Sequence, residues 1–378
     1  MDITIDRDLF LKAIARVQTV VESRNTMPIL SHVLLEASAE GTLSLTATDL
    51  EIAIKTTIDA DVEIAGSIAV SAKKLYELVR EMPSIHSVRL RSDHTDRCVI
   101  TSGKSRFSLL GLPADDFPEY TTPEGSLRFS MDSVLLSKLI VRTHFAMTQD
   151  ETRFALHGVC LEIAPGENGA GTAKMVATDT HRLNYAEAPI LLATPITESM
   201  MVIVPKKGVY EARRLLDTKE REGQAAVVEI CQSHLRIIQE KTVFTTKLVS
   251  GRFPNYHKVI PQKNAILVTT DKELFYGCVK RMAVLSSEKS HSILVRLGKN
   301  LLFISTANPD SEVAEEEIEV IYTGPQLSVG FNVKYLMEVI NVVESNTIRF
   351  HFKDDESPVL VTDTEHDDYL FVLMPLRV

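Results

Sequence analysis

At 378 residues, 44% hydrophobic and 24% charged, the chain has globular composition and enough length for three domains of ordinary size, each with its own core. A formal net charge of −10 argues against a protein that is basic all over and coats nucleic acid, and no apolar run approaches the roughly 18 residues of a membrane span. Cys98, Cys160, Cys231 and Cys278 are widely spaced without a C-x-x-C pair, so they read as core thiols in a reducing cytoplasm, with no metal and no cofactor implied. The first residues, Met1-Asp2-Ile3-Thr4-Ile5-Asp6, are acidic and alternating, unlike a signal peptide.

The chain opens with a short strand at residues 3–5 and a helix over 7–20, with Asp6 placed as its N-cap. Alternating strands follow at 32–36, 43–47 and 52–55. A second round gives strand 67–70, helix 72–81 and strands 87–91, 98–102 and 105–109. The same order recurs with helices over 133–146 and 206–216, then over 272–286 and 333–343. Six helices and many antiparallel strands make an α+β protein.

The order is a repeat. Asp6 leads into Leu9, Phe10, Ala13 and Ile14; Asp132 into Leu135, Leu136, Leu139 and Ile140; Asp271 into Leu274, Phe275, Cys278 and Val279. The pairs Lys73/Glu77, Lys207/Glu211 and Lys334/Glu338 recur at nearly the same period, about a third of the chain. Two independent patterns with one long period predict three copies of a domain-sized unit. Proline-containing stretches at 113–123 and 254–261 mark the joints, and each joint carries a Phe-Pro-x-Tyr sequence, Phe117 to Tyr120 and Phe253 to Tyr256. The domains are therefore placed at 1–123, 124–257 and 258–378.

Charge is distributed unevenly. Lys12, Arg16, Lys73, Lys74, Arg80, Lys138, Arg142, Lys206, Lys207, Arg213, Arg214, Lys280, Arg281 and Lys334 fall on the helices, while acidic residues crowd strands and loops, as at 312–319 and 363–368. One charged helix is ordinarily a solvated face. Six sharing the bias predict a basic surface on an acidic protein.

Asp179 and His181, two apart in Ala177-Thr178-Asp179-Thr180-His181-Arg182, admit a hydrolase reading, but no third ligand or nucleophile accompanies them, and there is no GxSxG, HExxH or glycine-rich phosphate loop. The related Ala47-Thr48-Asp49 lacks a histidine, which favours a turn role for both aspartates. The chain closes on Leu373-Met374-Pro375-Leu376-Arg377-Val378; this apolar tail either completes the last core or lines a groove for a partner.

Several segments, in this order and combined with the threefold repeat, resemble the bacterial β sliding clamps, the processivity factors of DNA polymerase III: Arg24-Asn25-Thr26-Met27-Pro28-Ile29-Leu30, residues 177–183, Val204-Pro205-Lys206-Lys207, Gly251-Arg252-Phe253-Pro254-Asn255-Tyr256, Gly330-Phe331-Asn332 and Met374-Pro375-Leu376-Arg377. The resemblance covers essentially the whole chain. It implies a clamp fold with N-terminal, central and C-terminal domains, each with two helices on antiparallel sheets. It also implies a non-catalytic, cytoplasmic, head-to-tail homodimeric ring that encircles duplex DNA without reading sequence and tethers the replicative polymerase, the clamp loader and other proteins through short linear peptides. Loose phosphate attraction from inward helices, with little base contact, permits sliding. The alternatives are a peptide-binding repeat scaffold without DNA and the hydrolase using Asp179 and His181.

By the same resemblance, Arg24, Lys74, Gln149, Phe154, Lys206 and Lys207 face DNA. Ala155 stands where the family often has a second aromatic residue. A pocket for apolar-ended peptides matches Arg153, Leu156, Thr178, Thr180, His181, Leu183, Pro254, Lys258, Val259, Val372, Met374, Pro375, Leu376 and Arg377. Thr180 replaces a usual glycine and is expected to narrow the groove; Lys258 replaces a common arginine and loses its planar fork. The dimer interface sets Lys104, Arg106, Phe107 and Leu109 against Val284, Leu285, Glu312, Glu315 and Glu316.

Overall fold

The computed structural model describes residues 1–21, 27–93, 95–118, 127–217, 223–287 and 290–377. Arg24 and the stretch containing Tyr120, with the first expected domain boundary, lie outside the described residues. The backbone divides into two compact units, Met1–Val134 with Leu191–Pro195 and Lys207–Leu248, and Leu135–Ile190 with Ile196–Lys206 and Val249–Val378.

Six α-helices lie among the described residues: α1 (Arg7–Val17), α2 (Ala72–Glu81), α3 (Ser133–Thr143), α4 (Lys206–Leu216), α5 (Lys272–Leu285) and α6 (Val333–Val342). The starts of α1, α3, α5 and α6 follow from capping. The Asp6 carboxylate accepts from the backbone N–H of Asp8 and Leu9 at 3.0 and 2.9 Å, Asp132 from Val134 at 2.8 Å, Asp271 from Leu274 at 2.9 Å, and Asn332 from Lys334 at 3.0 Å. Two helices end sooner than their periodicity predicts. α1 passes into a 3₁₀ turn at Gln18–Val20 and α3 into one at His144–Ala146. At the end of α3, Thr143 Oγ1 donates to Leu139 O at 2.7 Å and His144 Nδ1 lies 3.0 Å from Ile140 O, so side chains take the last carbonyls and the turn tightens.

α1 buries Phe10, Ala13 and Ile14 of the expected stripe, and Val17 beyond it, against α2 and the strands Thr42–Thr48 and Ile52–Asp59, whereas Leu9 is 39% exposed. α5 packs in the same way on α6 and on the strands Leu301–Ala307 and Val313–Glu319. The first residues of α1 and α5 also tie down their companions: Arg7 Nε donates to Val79 O at 3.0 Å, and Lys272 Nζ to Val343 O at 3.2 Å, a cation on the carbonyl end of a helix in both cases.

The sheets are antiparallel, and one strand junction occurs twice. In the first unit, Ile52–Asp59 pairs with Thr242–Lys247, Ile52 opposite Thr246 and Ile54 opposite Phe244. In the second, the start of Arg182–Leu192 pairs with Tyr369–Leu373, Arg182 opposite Leu373 and Asn184 opposite Phe371. Each junction joins the strand after a Thr-Asp turn to a strand from a later repeat. The third strand of this kind, Val313–Glu319, is the edge of a four-stranded sheet and pairs only with Leu301–Ala307 among the described residues. The remaining counterpart on the other side, Ser105–Leu112, pairs along its length with Arg97–Ser102, but on its second edge meets Gly66–Ser71 only at Gly111 and Leu112.

The apolar tail is tied into the fold. Leu376 N donates to Gly330 O at 2.8 Å, as Val249 N does to Ile203 O at 2.9 Å, and Met374 N donates to His181 O at 2.9 Å. The tail is therefore bridged at Leu376 to the strand Leu327–Asn332, while Met374 stays exposed. All four cysteines are buried, and burial pushes the thiols of Cys98, Cys160 and Cys278 up to about 12.

Asp363 anchors the end of α6. Its carboxylate accepts from the N–H groups of Glu344, Ser345 and Glu365 at 3.0, 3.1 and 2.9 Å, and from the hydroxyls of Ser345 and Tyr369. Burial alone would raise its pKa, but these donors together hold it well below the ordinary carboxylate range. A folded pKa below the unfolded one stabilises above the unfolded value, about 3.9, and that contribution is lost as pH falls through the folded value. Asp363→Asn is therefore expected to be less stable at pH 7 and to lose stability less steeply than the parent below about pH 4. Urea titrations from pH 7 downward check this; parallel acid limbs for the two proteins would refute it.

Candidate functional site

Asp179 is a turn former. Its Oδ1 accepts from the N–H of His181 and Arg182 at 2.9 and 3.0 Å, while Thr178 Oγ1 receives Thr180 N at 3.1 Å and donates to Arg182 O at 2.6 Å. Thr48 and Asp49 repeat this wiring, with Glu51 N and Ile52 N on Asp49 Oδ1 at 2.8 and 2.7 Å and Thr48 Oγ1 on Ile52 O at 2.9 Å. The geometry forces positive φ on the residue after the aspartate, 77° at Leu50 and 80° at Thr180.

The other Asp179 oxygen accepts from Arg182 Nε at 3.0 Å. The buried Arg182 guanidinium also bonds Glu338 and Phe145 O, and stacks over Tyr335 at 4.1 Å. Both Asp179 oxygens are thus engaged in structure. Among the described residues no group of three or more His, Cys, Asp and Glu could hold a metal ion. The hydrolase reading thereby loses Asp179 as an available base.

The residues matched to the peptide pocket are linked to one another. Leu183 and Val372 face each other across paired strands and are buried with Cys160, Val176 and Tyr256, against which Phe253 and Ile260 pack. Tyr256 OH donates to Glu162 at 2.6 Å, and Tyr256 O accepts from Val259 N at 2.9 Å in the turn Tyr256–Lys258. Burial of this hydroxyl and its carboxylate neighbour raises its pKa. Arg153 donates to Thr180 Oγ1 at 3.3 Å and lies 3.4 Å from Asp150, and Leu156 N closes onto Arg153 O at 2.8 Å. Leu156, Leu183 and Val372 are buried, while Val259 and Met374 are 42% and 37% exposed. Thr178, Pro375 and Leu376 are half-buried; His181, Pro254, Lys258 and Arg377 are exposed.

Of the residues matched to DNA contact, Lys206 bonds Gln149, and Phe154 is 71% exposed. Lys74 is exposed, whereas Lys207 is half-buried and paired with Asp49. The helices carry less open charge than their sequence promised. Arg142 is buried, bonded to Asp368 at 2.6 Å and Glu344 at 2.7 Å with its guanidinium 3.8 Å from the Tyr369 ring centre; Lys138 also meets Glu344, and Arg281 meets Glu316. Lys12, Lys73, Lys74, Lys280 and Lys334 stay exposed.

The expectation that acidic residues own the strands fails in the first unit. Arg89, Arg91, Arg97 and Arg106 line a cavity of about 890 Å³ together with Asp2. The bracing role of Arg142 was also missed: Arg16 and Arg281 hold the same place ten residues after a capping aspartate, but of the three Arg142 alone is buried.

In the interface set, Lys104 and Arg106 are exposed, and Phe107 and Leu109 half-buried on the open edge of Ser105–Leu112. Val284 is 80% exposed at the end of α5, and Leu285 half-buried. Glu312 and Glu315 are exposed; Glu316 accepts from Arg281.

Family models of the DNA polymerase III beta subunit match the chain in order, the N-terminal domain at residues 1–121, the central domain at 130–255 and the C-terminal domain at 257–377. The beta sliding clamp of Pseudomonas aeruginosa is 40% identical over 379 residues and that of Escherichia coli 34% over 385, each with all of both chains covered. Among solved structures, the P. aeruginosa sliding clamp bound to griselimycin superposes with a TM-score of 0.94 at 38% identity over all of both chains. The Caulobacter crescentus clamp, with polyethylene glycol at its putative beta-motif tethering region, gives 0.93 at 39%, covering 100% of this chain and 99% of that one. This chain, with its threefold repeat and clamp fold, belongs to the DNA polymerase III beta subunit family, the beta sliding clamps.

Proposed function

We propose that the chain works as a sliding clamp: two copies close head to tail around duplex DNA and hold the replicative polymerase, the clamp loader and other DNA-processing proteins by short peptides. It is non-catalytic and acts in the cytoplasm. Its three domains divide at 1–123, 124–257 and 258–378.

The strand junction carries this reading. It is made twice among the described residues, which leave one edge of each kind without a strand partner, Val313–Glu319 along its length and Ser105–Leu112 apart from Gly111 and Leu112. Phe107 holds the place of Phe244 and Phe371. Carrying the two observed registers onto the third pair sets Ala314 opposite Phe107 of the partner subunit and Glu315 opposite Arg106 of the partner subunit. One heterologous contact made twice closes a dimer and leaves neither edge open.

Retention then comes from topology. The purified protein, loaded on nicked circular plasmid, is expected to stay bound through gel filtration and to be released when the circle is linearised. Equal retention on both forms would support the scaffold reading instead.

Contact with the duplex is weak and salt-sensitive. Arg24, Lys74, Gln149, Phe154, Lys206 and Lys207 make it, and Lys207 shares its charge with Asp49. Each lost phosphate contact lowers the slope of log K against log salt by about 0.9. Lys74→Ala with Lys206→Ala is expected to lower the slope by about two such steps in fluorescence titrations. An unchanged slope would remove both from the DNA-facing set.

A further inference from the structure

We propose that the solvent face of the first sheet binds a short phosphate chain, the class of inorganic triphosphate and nucleoside triphosphates, between Arg91 and Arg97. The strands Asp2–Ile5, Val88–Ser92, Arg97–Ser102 and Ser105–Leu112 pair side by side in that order. Alternation sends Val88, Leu90, Cys98 and Ile100 into the core and leaves Arg89, Arg91 and Arg97 on the opposite face. A chain of net charge −10 has to gather positive charge locally if it is to hold an anion. Here four arginines meet only two aspartates, Asp2 and Asp93, around the cavity of about 890 Å³, a volume in the range of small-molecule sites. None of these residues belongs to the DNA-facing set.

Asp2 turns this patch into a built site. Its side chain is only 4% exposed. Oδ1 accepts from Arg89 Nε at 2.8 Å, and Oδ2 accepts from Arg89 at 2.9 Å and lies 2.9 Å from Arg91 Nε. One buried carboxylate thus anchors two guanidinium groups before any ligand arrives, which reduces the entropy lost on binding. Arg89 also bonds Glu63, at 2.5 Å. Arg91 is 62% exposed and keeps N–H donors for a further acceptor. Arg97 is exposed and makes no ion pair among the described residues. Arg91 stands opposite Val99, so Arg97 is its diagonal neighbour on the same face. Diagonal neighbours lie about 7–8 Å apart, and two long side chains at that spacing can take successive phosphates of one chain. A terminal phosphate also brings about −1.5 to −2 charges and three acceptor oxygens, more than one carboxylate offers. Arg106 borders the site but meets the partner's Glu315 in the ring proposed above, so the ligand rests on Arg91 and Arg97.

The test is equilibrium dialysis of the full-length protein against inorganic triphosphate and, separately, ATP, at low ionic strength and without divalent metal. Wild type is expected to bind one triphosphate per chain, with affinity falling as salt is raised. Arg97→Gln is expected to weaken binding about tenfold, and Arg91→Gln by a similar factor. Arg97→Lys keeps the charge but loses the planar fork, so it should fall between wild type and Arg97→Gln. Arg97 has no ion pair to lose, so the melting temperature of its variants should match the parent. Lys299→Gln makes the same charge change at another exposed position and should leave binding unchanged. ATP bound no more tightly than triphosphate would confine recognition to the phosphates, and ATP bound more tightly would add the nucleoside; both uphold the inference. No binding of either ligand, parental affinity in both Arg91→Gln and Arg97→Gln, an equal loss in Lys299→Gln, or citrate bound as tightly as triphosphate would overturn it.

Discussion

Val284→Asp with Leu285→Asp is expected to convert the clamp to monomers at concentrations where the parent is dimeric. Val284 is 80% exposed, so its replacement by a charge leaves the core of the subunit alone, and α5 stays anchored by Phe275, Cys278, Val279 and Met282. The cost falls on assembly. Apolar anchors at the centre of an interface are typically worth about 2 kcal/mol or more each, and a buried unpaired carboxylate adds to that. About 4 kcal/mol for the pair is a factor of roughly a thousand in the dimer constant. Sedimentation velocity over a dilution series reads this directly. Val284→Asp alone is the control for Leu285, whose half-buried side chain also steadies the helix end. A double variant that stays dimeric at the lowest concentration would place the interface elsewhere.

The second large effect concerns the tail. Removing residues 374–378 is expected to abolish binding of polymerase and loader peptides while the protein remains a folded dimer. The deletion takes away Met374 and Leu376 together with two backbone hydrogen bonds, Met374 N to His181 O and Leu376 N to Gly330 O. The strand Tyr369–Leu373 and its pairing with Arg182–Leu192 are left in place. Because the deletion also frees a sheet edge, Met374→Ala is the sharper probe. It keeps both backbone bonds and removes only an exposed apolar side chain, yet should weaken peptide binding by about 2 kcal/mol, roughly thirtyfold. Anisotropy with labelled peptide and thermal melting of the same samples separate loss of binding from loss of fold. Parental affinity in both variants would move the pocket off the tail.

Much of the architecture was legible because it repeats. The capping aspartates Asp6, Asp132 and Asp271, the apolar stripes behind them and the Thr-Asp turns are local signals, each set by a few neighbouring residues. Helix ends were less legible, since the early stop of α3 depends on where Thr143 and His144 aim their side chains. The charge reading failed for a different reason. Arg142 and Lys74 look alike in sequence, but one is buried against Glu344, Asp368 and Tyr369, more than 200 positions away, and the other is exposed. No local pattern distinguishes a brace from a surface cation. Leu156, Leu183 and Val372 illustrate the same limit: the resemblance gives no sign of which matched residues are exposed, and the fold buries these three.

The acidic edge strand also governs which partners are rejected. Laid antiparallel against its own copy, Val313–Glu319 would set glutamates from Glu315, Glu316, Glu317 and Glu319 against one another with few apolar contacts to compensate. Two copies of Ser105–Leu112 would likewise oppose Arg106 to its twin or near neighbours. Each edge therefore discourages pairing with itself and admits the other. A chain with two exposed strand edges would ordinarily risk open-ended stacking into fibres. Here like-with-like association is penalised at both ends, which steers newly made subunits toward the one mixed contact and away from aggregates before any DNA or loader is present.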